Sequence, residues 1–443
     1  MTQDRLAFAE DDPSQSETVR LKHLARINPS KSEIDDVPPD TTVSFVPLEG
    51  FGTSGAIESS EEKPLAEVYD GYTYFRESDI AIAKITPSFE NGKGAICKGL
   101  ENGIGFGTTE LHILRPRENT DTGFLWYVLR AKPFMDEAET SMRGVAGQKR
   151  LKSEFVETYR VPELPLDEQR DVADFLDRRT ARIDALVAKQ KRLLDLLDEK
   201  RQAFVTRTIT AGLDFTVAKK STEIGWFDEI PAHWDTTRVR FVARLESGHT
   251  PSKSNEEYWT DTDVPWVSLA DSGRLRKNDR ITETEHYTNQ KGLNNSSAHI
   301  LPTGTVVFTR DATVGLCAIL DRPMAVAQHL VGWVCGSKIL PEYLLNVFES
   351  MDQEFDLLTR GSTISTIGMP DIRSLKTPLP PVEEQREIVE HIQNETEQLS
   401  NLIDNVEEAI DLLEEKRQAL ITAAVTGQID VTEARGETHA THR

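Results

Sequence analysis

The sequence predicts an α+β fold: two mixed α/β globules, separated and followed by two long helices that form a coiled coil. Three observations predict it. Residues 165–214 are written a second time at 381–430, ungapped, at an offset of 216, with about a third of the positions identical. Each copy then runs for some 40 residues with no Gly or Pro and with apolar residues spaced alternately three and four apart. Shorter matches recur at similar spacing in the segments that precede each copy. A fixed-period repeat is the strongest architectural signal a sequence can carry.

The repeated element opens at Pro165-Leu166-Asp167-Glu168-Gln169-Arg170 and again at Pro381-Val382-Glu383-Glu384-Gln385-Arg386. In the first copy the expected seam is Ile183, Leu186, Leu193, Leu197 and Phe204, with Gln190 and Lys200 in its polar places. In the second it is Leu399, Leu402, Val406, Ala409, Leu413 and Leu420, with Lys416. At 1.5 Å per residue each helix is roughly 60 Å long. Gly212 and Gly427 close them. A narrow apolar stripe needs a partner, and the other copy is the simplest one, parallel or antiparallel. The block Glu199-Lys200-Arg201-Gln202-Ala203 returns unchanged as Glu415-Lys416-Arg417-Gln418-Ala419. A purely structural coiled coil does not require identical surface charges. A shared surface contacting two copies of one partner does, which makes Glu199, Lys200, Arg201, Gln202, Glu415, Lys416, Arg417 and Gln418 candidate partner-binding residues.

The preceding segments match in four places. Val19 to Ile27 aligns with Thr237 to Leu245, and Val43 to Leu48 with Val264 to Leu269. Asp79 to Lys84 aligns with Gly304 to Thr309 and reads as a buried strand; Phe124 to Leu129 aligns with Tyr343 to Phe348 and reads as a helix. The organisation is therefore a disordered tail at 1–18, a globule at 19–163, a helix at 164–214, a linker and lead-in at 215–235, a second globule at 236–378, a second helix at 379–430 and a tail at 431–443.

Composition bounds the function. At 443 residues with 38% hydrophobic content, the chain is long enough for several packed cores. Its three cysteines, Cys97, Cys317 and Cys335, are scattered and odd in number, which points to a reducing cytoplasm. No apolar run reaches membrane-spanning length and no signal peptide is visible. The formal charge of −23 argues by itself against nucleic-acid binding. Its distribution softens that: the largest density, a net −10, lies in residues 379–430.

Between matched strands the loops diverge and gather basic and polar residues. In the first globule these are Lys84, Lys93, Arg143, Gln148, Lys149, Arg150 and Lys152. In the second they are Lys253, Asn255, Arg274, Arg276, Lys277, Arg310, Arg360, Ser362 and Thr363. Arg, Lys, Gln and Asn can contact base edges, and glycine lets backbone approach phosphate. Solvated loops carry the same residues. No metal-ligand spacing, phosphate loop or nucleophile motif accompanies them. Gly103-Ile104-Gly105-Phe106-Gly107 lacks dinucleotide-site order and reads as a turn. The absence of a catalytic constellation favours a binding or targeting subunit over an enzyme.

These stretches together resemble the specificity subunit of type I restriction–modification systems. The resemblance rests on Leu164-Pro165 to Arg170 and Leu379-Pro380 to Arg386, on Gly225-Trp226 to His233-Trp234, on Ser247 to Ser252 with Val264 to Ser268, and on Gly361-Ser362-Thr363-Ile364. The first globule departs from the pattern: it lacks the Gly-Trp lead-in, and Arg143-Gly144-Val145-Ala146 stands where Gly-Ser-Thr-Ile is expected. The resemblance implies that each globule is a target recognition domain reading one half of a split, asymmetric sequence in double-stranded DNA. It implies antiparallel helices that space the half-sites and dock two methyltransferase (M) subunits carrying S-adenosylmethionine. Restriction/translocase (R) subunits using ATP and Mg complete the complex, and the chain itself is non-catalytic. The competing expectations are a coiled-coil scaffold presenting two protein- or ligand-binding globules without DNA, and an enzyme such as a nuclease with an unrecognised site.

Overall fold

The computed structural model describes residues 17–145, 147–359 and 365–431. The chain divides into two compact units, Met1–Lys191 with Glu408–Arg443, and Arg192–Glu407. Each unit combines one globule, the first part of the long helix that follows it, and the last part of the other long helix.

In the first unit β1 (Thr18–Arg20), where the expected tail ends, is closed by a later strand at the foot of the globule. Next come β2 (Ala25–Ile27), β3 (Thr42–Val46), β4 (Glu61–Pro64), β5 (Thr73–Arg76) and β6 (Ile80–Ala83). Then follow β7 (Gly94–Ile96), β8 (Ile104–Gly107), β9 (Leu111–Pro116), β10 (Arg143–Val145), β11 (Gln148–Arg150) and β12 (Arg160–Pro162). One sheet has the order β2-β9-β6-β7 and the other β4-β3-β8-β5, with β3 and β8 parallel. β1 pairs with β12, and β10 with β11 as a hairpin. β6 is buried at all four residues because strands flank it on both sides and the core covers it. The Gly103–Gly107 stretch is not a turn. Its last four residues form β8, and glycine is required there because a Cβ on Gly105 would sit 2.1 Å from Phe75 Cε2.

The second unit repeats this plan. Its strands are β13 (Lys219–Ile224), β14 (Phe227–Pro231), β15 (Asp235–Arg238), β16 (Ala243–Ser247), β17 (Val264–Val267) and β18 (Arg280–Ile281). They continue with β19 (His286–Thr288), β20 (Val306–Thr309), β21 (Cys317–Leu320), β22 (Ala325–Val326), β23 (Leu330–Cys335) and β24 (Lys376–Leu379). The order β16-β23-β20-β21 reproduces β2-β9-β6-β7 and adds β18 at its edge. β17 lies parallel to β22 as β3 does to β8, and β15 pairs with β24 as β1 does with β12. The stretch expected as a linker carries the β13–β14 hairpin, whose Ile224, Phe227 and Ile230 are buried in the core. The lead-in motif ends in Trp234, fully buried over Gly212 at the end of the first long helix, while His233 Nε2 lies 2.9 Å from Glu384 at the start of the second.

The long helices span Leu166–Ala211 and Val382–Val425, about 69 and 66 Å. Their segments run antiparallel in each unit. In the first unit Arg417 pairs with Asp184 at 2.8 Å and Lys191 with Glu414 at 3.5 Å. In the second, the Phe204 and His391 rings stack with centroids 5.4 Å apart, and Gly212 faces Glu384. The buried positions correct the expected seam. They include Ile183, Val187, Gln190, Leu194, Leu197 and Arg201 on one helix, and Ile392, Thr396, Leu399, Ile403, Val406, Ile410, Leu413 and Arg417 on the other, wholly or partly covered; Phe204, Ala409 and Leu420 of the expected seam are partly covered as well. Leu186, Leu193 and Leu402 are exposed, as are Lys200 and Lys416. Adjacent leucines satisfy the same 3–4 spacing, so the covering partner decides which one turns inward.

Candidate nucleic-acid interface

The first unit gathers its basic candidates at one end of a sheet. β6 delivers Lys84 there, whose N–H donates to Glu110 O (2.9 Å) and whose carbonyl accepts from Leu151 N (2.8 Å). Lys93 closes the β6–β7 turn, its carbonyl accepting from Ala83 N at 3.0 Å. The β10–β11 hairpin docks alongside. Ile85 bridges Arg150, and the Thr86 hydroxyl donates to Gly147 O at 2.7 Å. Gln148, Lys149, Arg150 and Lys152 are exposed on or just beyond that hairpin. Arg143 lies opposite Arg150, its Nη1 turned back to the carbonyls of Thr140 and Met142, both 3.2 Å.

A partner the sequence did not single out organises this patch. Arg150 grips Glu110 side-on, with Nε 2.9 Å from Oε2 and Nη2 2.9 Å from Oε1. The hydrogen bond and charge of Arg150 hold the Glu110 carboxyl below its usual range. Behind them, buried His112 contacts Leu151 O (2.9 Å) and Asn28 Nδ2 (3.3 Å), and burial lowers its basicity. Basic side chains thus converge on one sheet end of a globule whose segment, residues 1–163, carries a net −9. At the sheet's other end Arg26, Arg76 and Arg115 surround Glu33, and Asp79 takes Arg115 at 2.7 Å, so those arginines are engaged by carboxylates within the fold.

The second unit holds the equivalent place with different side chains. Arg310 N donates to His329 O and Ile367 N to Arg310 O, both 2.9 Å, and Asp311 bridges Thr366. These bonds equate Lys84 with Arg310, Glu110 with His329 and Arg150 with Thr366. The sequence alignment, which set Lys84 against Thr309, is thereby moved by one residue. Asp311 sits 2.9 Å from His329 Nδ1 and 3.8 Å from Arg310 Nη2, and Arg310 Nε donates to Ile367 O at 3.3 Å. The loop bearing Lys253 and Asn255 leaves β16 beside Leu330, with Lys253 exposed and the Asn255 side chain capping Glu257 N at 3.2 Å.

Not all candidates join this end. The short helix Ser272–Lys277, with Arg274, Arg276 and Lys277, packs on β18 and β21. β18 pairs with Ile319–Leu320, away from the Arg310 turn. Arg274 is held by buried Asp271 at 3.1 Å and by Glu285 at 3.2 Å, whereas Arg276 and Lys277 are exposed. Arg360, Ser362 and Thr363 lie outside the described residues.

The repeated helix block has an internal use. Gln418 Nε2 donates to Arg130 O at 2.8 Å, and Gln202 Nε2 donates to Glu349 O. Arg130 and Glu349 are the last residues of equivalent helices, Thr122–Arg130 and Pro341–Glu349. Arg417 pairs with Asp184, and Arg201 is partly buried beside Glu349. Glu199, Lys200, Glu415 and Lys416 remain exposed. Part of the identity that suggested a partner surface is therefore accounted for by two identical clamps within the units.

Among the described residues, no helix is long and apolar enough to cross a membrane, and no group of three His, Cys, Asp or Glu is placed to hold a metal.

Residues 231–412 match the family described as Type I restriction modification DNA specificity domain. The EcoEI type I restriction enzyme specificity subunit of Escherichia coli is 36% identical over 213 residues, 46% of this chain and 35% of that protein. The EcoAI specificity subunit of Escherichia coli is 41% identical over 162 residues, 36% of this chain and 27% of that protein. The matches thus span about a third of these relatives' length. A solved chain, from work on complex assembly and conformational transition of the type I R-M system, superposes with a TM-score of 0.72 at 19% identity. The superposition covers 93% of this chain and 98% of that one, and it establishes likeness of fold. Residues 231–412 thus match a type I restriction modification DNA specificity domain, and the chain as a whole, with its duplicated α+β frame and two long helices, is similar to type I restriction enzyme specificity subunits.

Proposed function

We propose that this chain supplies DNA sequence specificity to a type I restriction–modification complex. Each globule reads one half of a bipartite target in double-stranded DNA. The helices set the spacing of the halves and dock two methyltransferase subunits; restriction/translocase subunits join them. Methylation and cleavage, with S-adenosylmethionine, ATP and Mg, belong to those partners. One observation carries the reading: two globules share the strand order β2-β9-β6-β7, recurring as β16-β23-β20-β21, and differ in the polar residues held at one end of that sheet. A common frame with different side chains is what an asymmetric target requires, because base identity is read through donors and acceptors on side chains.

The acidity of the chain fits a division of labour in which partners supply much of the phosphate contact, so binding by the chain in isolation is weak and salt-sensitive. The exposed Glu199, Lys200, Glu415 and Lys416, and the exposed Leu186, Leu193, Leu196, Leu402 and Leu412, offer polar and apolar area for docked subunits. The net charge of −23 is what favours the other reading, a scaffold that never touches DNA.

Exchanging residues 19–163 for those of a relative with another target decides between them. Methylated adenines are mapped in cells carrying the chain with its methyltransferase. The proposal expects one half of the methylated sequence to change and the other to stay. An unchanged map rejects it, and DNA cleavage or methylation by the purified chain without added subunits overturns the non-catalytic role.

A further inference from the structure

We propose that Arg150, held by Glu110, is a specificity-determining residue that reads a guanine in the half-site of the first globule. At the equivalent place in the second globule, Arg310 with Asp311 and His329 reads a different base. The assignment rests on the DNA-specificity reading above.

Arginine has five N–H donors in a planar fork. The side-on grip of Glu110 uses Nε and one hydrogen of Nη2. Nη1 and the second hydrogen of Nη2 remain, and these form the end-on pair that matches the N7 and O6 acceptors of guanine in the major groove. The Arg150 side chain is 46% exposed, so it is oriented without being covered. Its backbone is fixed by the hairpin and by the bridge to Ile85. The carboxylate therefore defines the plane of the guanidinium before DNA arrives, which lowers the ordering cost of binding.

The second globule lacks that grip because Thr366 stands at the place of Arg150 and His329 at the place of Glu110. Arg310 directly follows β20, with Nε spent on Ile367 O at 3.3 Å. Asp311 at 2.9 Å favours the His329 tautomer with hydrogen on Nδ1. With hydrogen on Nδ1, His329 Nε2 takes the Gln328 amide nitrogen at 3.4 Å, which leaves the exposed Gln328 amide oxygen as acceptor and the remaining donors of Arg310 at this edge. A mixed donor and acceptor edge suits adenine, which offers N7 as acceptor and N6 as donor. The same frame thus carries an all-donor reader in one unit and a mixed reader in the other.

The test uses the full chain with its methyltransferase subunits in cells devoid of other adenine methylation, and maps methylated sites. Arg150→Ala is expected to gain new sites relaxed at one guanine of one half, with discrimination there lowered roughly ten- to a hundredfold. Glu110→Gln relaxes the same position more weakly. His329→Ala alters a position in the other half and leaves the first intact. The assignment is overturned if Arg150→Ala keeps full discrimination, relaxes a position that is not guanine, or changes the same half as His329→Ala. The expected signal is a gain of sites, so a variant that only loses methylation also counts against it. A wild-type map without any sequence preference removes the DNA-specificity reading itself, and is distinguishable from all of these.

Discussion

Gln169 and Gln385 make the same three hydrogen bonds in the two units, each from the first turn of a long helix. The Gln169 amide accepts from Asp121 N at 2.9 Å and donates to Asn119 O at 3.2 Å and Leu164 O at 2.8 Å. Gln385 accepts from Leu340 N and donates to Lys338 O and Pro380 O, all at 2.9 Å. Asp121 and Leu340 are the N-cap residues of equivalent helices, and both glutamines are essentially inaccessible to water. Each side chain thus ties the junction of globule and helix through otherwise unsatisfied backbone groups. Gln169→Ala or Gln385→Ala is expected to cost about 3 kcal/mol, since buried backbone donors and acceptors lose their partners. Denaturant unfolding measures this; a loss under about 0.5 kcal/mol contradicts the clamp.

Gln202 and Gln418 close the other ends of those two helices. Gln418→Ala and Gln202→Ala each remove one side-chain bond to a terminal carbonyl, worth about 1 kcal/mol. Exposed Glu199→Ala or Lys416→Ala stays within about 0.5 kcal/mol. Thermal unfolding of the four variants separates the internal use of the block from any external one. Equal stability of all four means that the glutamines hold nothing together.

Arg274 is expected to act on stability, not on reading. Its partner Asp271 is buried and also accepts from Ser268 N at 2.9 Å and Glu285 N at 2.7 Å. Arg274→Ala removes the cation that balances this carboxylate and is expected to lower the midpoint of unfolding. The methylated sequence should be unchanged. A relaxed half-site with unchanged unfolding would restore the role that its place in a basic cluster suggested.

Glu349 makes the second unit sensitive to pH. Burial first, then the charge of Asp279, pushes its carboxyl up to about 7, against the opposing pull of Arg201. The folded state holds that proton above the ordinary carboxylate range, where the unfolded chain has released it. Stability from this group is therefore greatest at low pH and falls as pH rises from about 4.5 through 7. Glu349→Gln should flatten this fall, by at most roughly 3 kcal/mol between pH 5 and 8. Parallel stability–pH curves for variant and parent would refute it.

Much of the fold is legible in the residues because it is written twice. Ile80–Ala83 and Val306–Thr309 read as buried strands and are the central strands of equivalent sheets. The Glu-Gln openings mark the long helices, and Gly212 and Gly427, both with positive φ, follow their ends. The candidate site is legible only in part. Lys84, Lys93, Gln148, Lys149 and Arg150 stand out by composition and converge, but Glu110, Asp311 and His329 carry no signal of their own. Their roles come from partners 40 residues away in the case of Glu110 and Arg150, and 18 in the case of Asp311 and His329.

The amino-acid order by itself determines the duplication, the matched buried strands and the two long helices, because periodicity and repeat length are local properties of the chain. Tertiary packing decides the rest. It selects Val187 and Leu194 over Leu186 and Leu193 for the seam, since neighbouring leucines fit the same spacing equally well. It sets Arg274 against the buried carboxylate of Asp271, and it sets the Arg150 guanidinium side-on against Glu110. Side-chain direction and charge pairing depend on which distant segment is laid alongside, and that information enters only when the sheets and helices close on one another.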